Sequence, residues 1–245
     1  MWRISLPASS SVTQLAAWRA VLSDEEKRRA DSFRLDPLAH DFLLAHAALR
    51  TVLGECLGIS PGLVQFSSQL EGYAGGSTAK PKLIAVHGSG DPDLRFNLSH
   101  THGAALIGVA IGRELGIDIE WQRPMNDLEG LACSVMSAEE LTQWQALDSG
   151  DRPAAFYHLW TRKESYLKAI GQGLYHDLQA VTVPVSPRPM DPFSGECGLI
   201  RGPAGEGIWS VTDLPVPKGY SASICWEGAE LPAFLVRDLD ADALL

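Results

Sequence analysis

The sequence predicts an α+β protein, a pseudo-dimer of two similar halves that each pack a helix pair on a small antiparallel sheet. Three observations support this fold class. Capping boxes, in which a serine is followed three residues later by a glutamate, begin helices at Ser23 and Ser137. A second helix follows each one, and Phe42 and Phe156 each lie 19 residues after the capping serine. Matching elements stay about 114 residues apart, which indicates an internal duplication.

The remaining elements keep the same order in both halves. We expect strands in two matching pairs, 63–66 with 178–181 and 103–111 with 219–226. Residues 1–115 are then expected to form the N-terminal α+β half, and residues 116–245 the C-terminal half, which carries the carboxylates considered below as metal ligands. Chance similarity between amphipathic segments is the alternative explanation of the repeat.

Composition narrows the functional classes. The 245 residues carry a net charge of -10 and are 45% hydrophobic, which is typical of a globular protein with a sizeable core. The net negative charge argues against non-specific binding to nucleic acid or to an anionic membrane. No apolar run approaches the roughly 20 residues of a membrane-spanning helix, and the N-terminus lacks the apolar segment of a signal peptide. Four scattered cysteines predict buried, reduced thiols, so we expect a cytoplasmic protein.

Two carboxylates mark the segment after the first half. Residues 106–111 and 116–121 flank a short turn, which predicts a hairpin. Asp118 and Glu120 are two residues apart in an apolar strand, so their side chains share one face. Adjacent carboxylates repel unless a cation lies between them, and carboxylate oxygens suit Mg²⁺. The alternative is the solvated face of an edge strand.

A second charged group lies on the long helix of the C-terminal half. Glu164 and Lys168 are four residues apart and therefore share one helix face, with Trp160 one turn earlier. The aromatic side chain indicates that this face is partly buried. An exposed ion pair between Glu164 and Lys168 is the alternative.

Further candidates lie in the N-terminal half. Ser99 and His100, at a strand end, can donate hydrogen bonds to a phosphate, or can simply form a hydrogen-bonded turn. His102 together with His100 and Asp118 would instead suit a zinc site. Lys80 follows a glycine-rich stretch at 72–77 and is either a phosphate clamp or part of a solvated loop.

In combination, these motifs resemble the Sfp-type 4′-phosphopantetheinyl transferases. The order is a basic helix (Lys27–Arg29), K-P, N-x-S-H, G-I-D-I-E and W-x-x-K-E-S-x-x-K-x-x-G, and it spans about residues 20–226. That family is a pseudo-dimer of two α+β halves, in agreement with the repeat.

The resemblance implies a role for each candidate. Asp118, Glu120 and Glu164 would hold Mg²⁺ against the pyrophosphate of coenzyme A, and Lys168 would neutralise that pyrophosphate. Ser99 and His100 would bind the 3′-phosphate. Contacts with the phosphates and the adenine–ribose end would come from Lys80 and Arg29, and Arg50, the repeat counterpart of Glu164, would support them.

The implied reaction transfers 4′-phosphopantetheine from coenzyme A to a serine of an acyl, peptidyl or aryl carrier protein and releases 3′,5′-ADP. Glu164 is the expected general base, directly or through a bound water, with Asp118 and Lys168 beside it. The stretch 125–136 is either a carrier-docking surface or a buried helix. One chain supplies both halves, so a monomer is expected. The rival functions are a zinc-dependent hydrolase that uses His100, His102 and Asp118, and a non-catalytic module that binds coenzyme A or a carrier protein.

Overall fold

The computed structural model describes residues 1–34, 36–67, 80–84, 93–171, 177–203 and 207–244. The described residues form a mixed fold of six α-helices and two four-stranded sheets. The helices are α1 (Val12–Val21), α2 (Asp24–Asp31), α3 (Asp36–Leu57), α4 (Leu128–Val135), α5 (Ala138–Gln145) and α6 (Arg152–Ile170). The strands are β1 (Trp2–Ser5), β2 (Leu94–Thr101), β3 (Ala104–Ile111), β4 (Leu115–Trp121), β5 (Gly198–Ile200), β6 (Trp209–Asp213), β7 (Tyr220–Glu227) and β8 (Arg237–Leu239).

The chain divides into two compact units. Unit 1 contains Met1–Gly112 and Val236–Leu245, and unit 2 contains Arg113–Leu235. The last residues belong to unit 1, rather than to the C-terminal half in which the sequence placed them, because β8 pairs in parallel with β1. None of the helices in the described ranges is long and apolar enough to cross a membrane.

Unit 1 packs its helices on a sheet of strand order β2-β3-β1-β8. Its α2 begins with the predicted capping box: Ser23 Oγ accepts from the Glu26 amide at 3.2 Å, and Glu26 Oε2 accepts from the Ser23 amide at 2.7 Å. The core of the unit is centred on Trp18 and on the buried side of α3, including Leu44 and Leu49.

Unit 2 packs α6 on an antiparallel sheet of strand order β4-β7-β6-β5. The second predicted capping box begins α5, where Ser137 and Glu140 exchange the same two hydrogen bonds at 2.7 and 3.3 Å. Trp144, Phe156 and Tyr166 lie in its core. As expected, α6 ends at a glycine, Gly171, which takes the left-handed conformation with φ of 73°.

Three local predictions were wrong. Strands β3 and β4 do not form a hairpin, because β3 pairs with β1 and β2 whereas β4 pairs with β7. Residues 63–66 and 178–181 do not form regular strands. The first stretch follows a 3-10 turn at Pro61–Leu63 and makes one isolated bridge, between Phe66 and Leu83, while the second is largely a 3-10 turn at Leu178–Ala180 capped by Asp177. The cysteines are free, as expected, but among the four only Cys225 is buried.

Candidate active site

A glycine lets α6 lie directly against β4. A Cβ built at Gly116 would lie 2.0 Å from the carbonyl oxygen of Ser165 and 2.4 Å from the backbone nitrogen of Ala169. Both neighbours are helix backbone, which cannot move aside without moving the helix. The glycine of the G-I-D-I-E motif therefore sets the separation between this helix and the strand that carries the two carboxylates.

One stripe of α6 is left half-buried at this contact. Between Ala155 and Ala169 every residue is buried except Trp160, Glu164 and Lys168. These three are each four residues apart, so they lie one above another on a single helix face. The spacing seen in the sequence thus identifies a partly open edge of an otherwise buried helix.

The two ends of this stripe contact the two carboxylates of β4. The ammonium of Lys168 donates to Asp118 Oδ1 at 2.6 Å, and the indole nitrogen of Trp160 donates to Glu120 Oε1 at 3.4 Å. Glu164 lies between these contacts on the helix. The structure therefore brings Asp118, Glu120, Glu164 and Lys168 to one place between α6 and β4, and Asp118 is 3% exposed rather than part of a solvated face.

Burial raises the pKa of two carboxyls of the site, Glu164 and Glu120. Burial raises the pKa of Glu164 to about 7; the charges of Asp118 and Glu120 add to the rise, while Lys168 opposes it. Burial and Asp118 also raise the pKa of Glu120, against the opposing effects of Trp160 and Lys168. A group with a pKa near neutrality can accept a proton at physiological pH, which is the property required of a general base.

The donor set fits a hard divalent cation. Glu164 Oε1 is buried and finds no hydrogen-bond partner among the described residues. A bound cation could satisfy this oxygen, because two further carboxylates lie beside it and buried polar atoms usually have a partner. Mg²⁺ prefers oxygen ligands of this kind. The described ranges nevertheless contain no group of three or more His, Cys, Asp or Glu side chains arranged to hold a metal ion. The Mg²⁺ site at Asp118, Glu120 and Glu164 and the zinc alternative at His100, His102 and Asp118 both stay predictions.

Two buried cations on α6 were not recognised as structural from the sequence. Lys163 donates to the carbonyls of Val135, Leu178 and Val181 at 2.7–2.8 Å, and pairs with Glu140 at 2.6 Å. Arg162 pairs with a buried aspartate on β6. Charged side chains are rarely buried without partners. Two adjacent cations in a helix whose other residues are mostly apolar could therefore have indicated buried ion pairs.

Arg50 has interior contacts in unit 1. Arg50 is 3% exposed, and its guanidinium donates to Glu26 at 2.7 Å and to the carbonyls of Val64 and Pro61 at 2.8 and 3.3 Å. The repeat had matched Arg50 with Glu164, but its contacts instead match those of Lys163. Both cations join the glutamate of a capping box to a carbonyl that follows the long helix.

The other candidates of unit 1 occupy two elements and a loop. Ser99 is buried and His100 half-buried, and as consecutive residues of β2 they leave opposite faces of the sheet. Arg29 is exposed on α2, with its guanidinium 5.0 Å from the ring centroid of Phe33. Lys80 is half-buried, and the glycine-rich stretch 72–77 before it lies outside the described residues.

The stretch 125–136 is partly buried. Ala132, Val135 and Met136 pack in the core of unit 2, whereas Leu131 is 42% exposed. The stretch is therefore only in part a buried helix, and its role in carrier docking stays a prediction.

Comparisons with known proteins agree with these motifs. The family model of the 4′-phosphopantetheinyl transferase superfamily (ACPS) matches residues 114–225, which include β4 and α6. The 4′-phosphopantetheinyl transferase HetI of Nostoc sp. strain PCC 7120 is 34% identical over 189 residues, which are 76% of this chain and 75% of the relative. A 4′-phosphopantetheinyl transferase of Bacillus subtilis is 30% identical over 67% of this chain and 66% of its own length. The transferase Sfp of Bacillus subtilis (strain 168) is 28% identical over 86% of this chain and 84% of its own.

Proposed function

This chain belongs to the 4′-phosphopantetheinyl transferase superfamily, and from that premise we propose that it moves 4′-phosphopantetheine from coenzyme A to a serine of a carrier protein and releases 3′,5′-ADP. That the chain is a 4′-phosphopantetheinyl transferase follows from its relatives. The donor, the acceptor side chain and the leaving group are our proposal.

The observation that carries the proposal is the cluster of charges between α6 and β4. Three carboxylates and one ammonium lie together on a partly open edge, and Lys168 contacts Asp118 at 2.6 Å. Phosphoryl transfer requires positioning and neutralisation of charge more than covalent catalysis. In such a site the ammonium can pair with the phosphates of the substrate. The carboxylates can bind a metal ion and accept a proton.

Asp118, Glu120 and Glu164 are the residues proposed to hold Mg²⁺. The buried Glu164 Oε1, which finds no hydrogen-bond partner among the described residues, supports this assignment. When bound, the ion would act as a Lewis acid that withdraws charge from the pyrophosphate of coenzyme A. Asp118 and Glu120 project from one face of β4 and would fix the orientation of the substrate pyrophosphate relative to α6.

Each protein group then has a defined task in the transfer. The serine oxygen of the carrier forms a bond to the β-phosphorus of coenzyme A, and the bond from that phosphorus to the oxygen of 3′,5′-ADP breaks. Glu164, whose pKa is raised to about 7 in the absence of a metal ion, is the proposed acceptor of the serine proton, directly or through a bound water. Lys168 is proposed to stabilise the negative charge on the leaving oxygen.

Coenzyme A must also be bound at its far end. We assign the 3′-phosphate to the segment of Ser99 and His100, in which the half-buried His100 would contact it by its side chain and the buried Ser99, on the opposite face of the strand, would support that contact. The remaining phosphates and the adenine–ribose end are assigned to Lys80 and Arg29. Arg50 is given only an indirect role, because its guanidinium is already bound by Glu26 and two carbonyls.

The internal duplication is likewise part of the proposal. It is supported by matching contacts: Glu26, Arg50 and the Val64 carbonyl in unit 1 correspond to Glu140, Lys163 and the Leu178 carbonyl in unit 2. A monomeric, cytoplasmic enzyme serving fatty-acid, polyketide or nonribosomal-peptide synthesis is the expected setting.

Intact mass of an apo-carrier protein tests the reaction directly. After incubation with coenzyme A and Mg²⁺, the carrier should gain one phosphopantetheine, and 3′,5′-ADP should appear in equal amount only when the carrier is present. A carrier whose serine is replaced by alanine is the matched control. Binding of coenzyme A with no gain in carrier mass would instead indicate a binding module, and tightly held zinc with hydrolysis of coenzyme A would indicate a hydrolase.

A further inference from the structure

A row of polar residues crosses the sheet of unit 2 beneath α6. Asp118 on β4 is opposite Ser223 on β7, which is opposite Asp213 on β6. Residues directly opposite in antiparallel strands share one face of the sheet. At the usual strand spacing, the two aspartates are roughly 10 Å apart along this row.

Helix α6 makes a polar contact with every member of the row. Lys168 binds Asp118, and the hydroxyl of Thr161 lies 2.8 Å from that of Ser223. Arg162 binds the carboxylate of Asp213 with both Nε and a terminal nitrogen, the former at 3.0 Å. The proposed active site is therefore one end of a continuous set of contacts across three strands.

The Arg162–Asp213 end is fully buried and saturated with hydrogen bonds. Arg162 is 0% and Asp213 1% exposed. Besides Arg162, the carboxylate accepts from Ser223 at 2.8 Å and from the backbone nitrogen of Met190 at 2.7 Å. Arg162 also donates to the carbonyl of Pro184 at 2.8 Å. A two-point arginine contact fixes orientation as well as distance.

This anchor lies on the opposite side of α6 from Glu164. Side chains two positions apart on an α-helix point in directions that differ by about 200°. Arg162 is therefore directed to β6, while Glu164 is directed towards β4. A rotation of α6 that lengthened the contact with Asp213 would also move Glu164 and Lys168 relative to Asp118. The backbone contact at Gly116 fixes the separation of helix and strand but does not by itself fix this rotation.

We propose that Asp213 and Arg162 are positioning residues, which set the rotation of α6 and thereby place Glu164 and Lys168 opposite Asp118. The inference rests on the proposed function for its kinetic consequence but not for its structural one. Neither residue touches the substrate in this assignment. Their effect is transmitted by the helix and by Ser223, the strand neighbour that Asp118 and Asp213 share.

The test replaces the ion pair as a whole. Loss of one partner alone leaves a buried charge uncompensated, whereas neutral replacement of both is often close to neutral for stability. The double variant Arg162→Met/Asp213→Asn is therefore expected to fold with a Tm within a few degrees of wild type. Arg162→Lys, which retains the charge but not the two-point geometry, is the conservative comparison. Arg201→Met/Glu139→Gln removes an exposed ion pair of the same unit and is the matched control.

Steady-state kinetics and a crystal structure of the double variant give two readouts. We expect kcat to fall at least 10-fold with KM for coenzyme A changed less than twofold, since a misplacement of about 1 Å can cost on the order of 100-fold in rate. Arg162→Lys should lie between this variant and wild type, and the control should match wild type. In the crystal structure, the distance from Lys168 Nζ to Asp118 Oδ1 should increase from 2.6 Å to beyond the ion-pair limit of about 4 Å.

A folded double variant that retains wild-type kcat and the Lys168–Asp118 contact would overturn the proposal. A fall in kcat with that contact unchanged would overturn it as well, because the effect would then not pass through the rotation of α6. If wild type transfers no phosphopantetheine, the proposed function fails, while the Lys168–Asp118 distance in the double variant still decides this inference. If the double variant does not fold, the same two readouts on Arg162→Lys decide it.

Discussion

Lys168 Nζ lies 2.6 Å from Asp118 Oδ1, so an ammonium of α6 contacts a carboxylate of β4 that is almost fully buried. The positive charge of this contact lowers the pKa of both Glu164 and Glu120, although burial and the neighbouring carboxylates outweigh it. Lys168 is therefore a counter-charge within the protein as well as the proposed cation for the pyrophosphate.

Replacement of Lys168 by methionine should reduce transfer strongly. The variant loses the cation that stabilises the leaving oxygen, and loss of such a group typically costs about 100-fold or more in rate. Initial rates of 3′,5′-ADP formation measure the effect. Lys168→Arg keeps the charge and should retain more activity than Lys168→Met. Equal rates for these two variants would show that the charge at this position is not what the reaction uses.

Glu164→Gln should abolish transfer while it stabilises the fold. The pKa of Glu164 is raised from 4.5 to about 7, so the folded state holds this proton more tightly than the unfolded state. Below pH 4.5 the carboxyl is protonated in both states and costs nothing. As pH rises through 7, its ionisation costs the native state roughly 3 kcal/mol, which the amide does not incur.

Urea unfolding in the presence of EDTA measures this change. The stability gain of Glu164→Gln over wild type should be near zero at pH 4.5, increase through pH 7 and then level off. Glu227→Gln, at an exposed position of the same unit, should show no such pH dependence. Near-normal turnover by Glu164→Gln would refute its assignment as the base, and a gain that does not depend on pH would contradict the raised pKa.

Gly116→Ala should separate α6 from β4. The added methyl group would lie 2.0 Å from the Ser165 carbonyl oxygen, so the helix must shift, and overpacking of this kind costs about 3 kcal/mol. A lower Tm and loss of transfer are both expected. Gly150→Ala is the matched control, because a Cβ at Gly150 meets no atom within 4 Å. If Gly116→Ala has the stability of Gly150→Ala, the close approach is not a constraint on the fold.

The sequence predicted the elements that periodicity and capping specify. Ser23 and Ser137 cap helices as expected, and Asp118 and Glu120 lie on one strand that faces the stripe of α6. These features depend on local rules, in which a residue and its neighbours within one turn or one strand determine the geometry. The grouping of Glu164 and Lys168 with the two carboxylates followed from their shared helix face and from the resemblance to a known family.

Strand partners and buried ion pairs were not predictable in the same way. Residues 106–111 and 116–121 look like a hairpin because they are adjacent in sequence, but β4 pairs with β7, about 100 residues further on. The partners of Arg50 and Arg162 lie 24 and 51 residues away. Such pairings depend on the assembled core, where a buried cation is satisfied by whichever carboxylate and carbonyls the fold brings to it.

Glu26→Gln should destabilise unit 1 in a pH-dependent manner. Burial alone would raise the pKa of Glu26, but His46, Arg50 and the amide of Ser23 outweigh burial and lower it from 4.5 to about 2. A depressed pKa means that the ionised carboxylate stabilises the native state above pH 4.5. This contribution is lost as pH falls from 4.5 towards 2, and it amounts to roughly 3 kcal/mol.

Hydrogen exchange of the α3 amides, compared between wild type and Glu26→Gln at pH 7, 5 and 3.5, follows this unit specifically once rates are corrected for intrinsic pH dependence. The loss of protection in the variant, relative to wild type, should be largest at pH 7, because Arg50 is then buried without its anion. The difference should become smaller at pH 3.5. Glu55→Gln, an exposed position on α3, is the control and should match wild type at each pH. If the protection difference stays constant from pH 7 to 3.5, the side-chain amide introduced at position 26 disturbs packing or the helix cap. The charge of the carboxylate is then not what stabilises this unit.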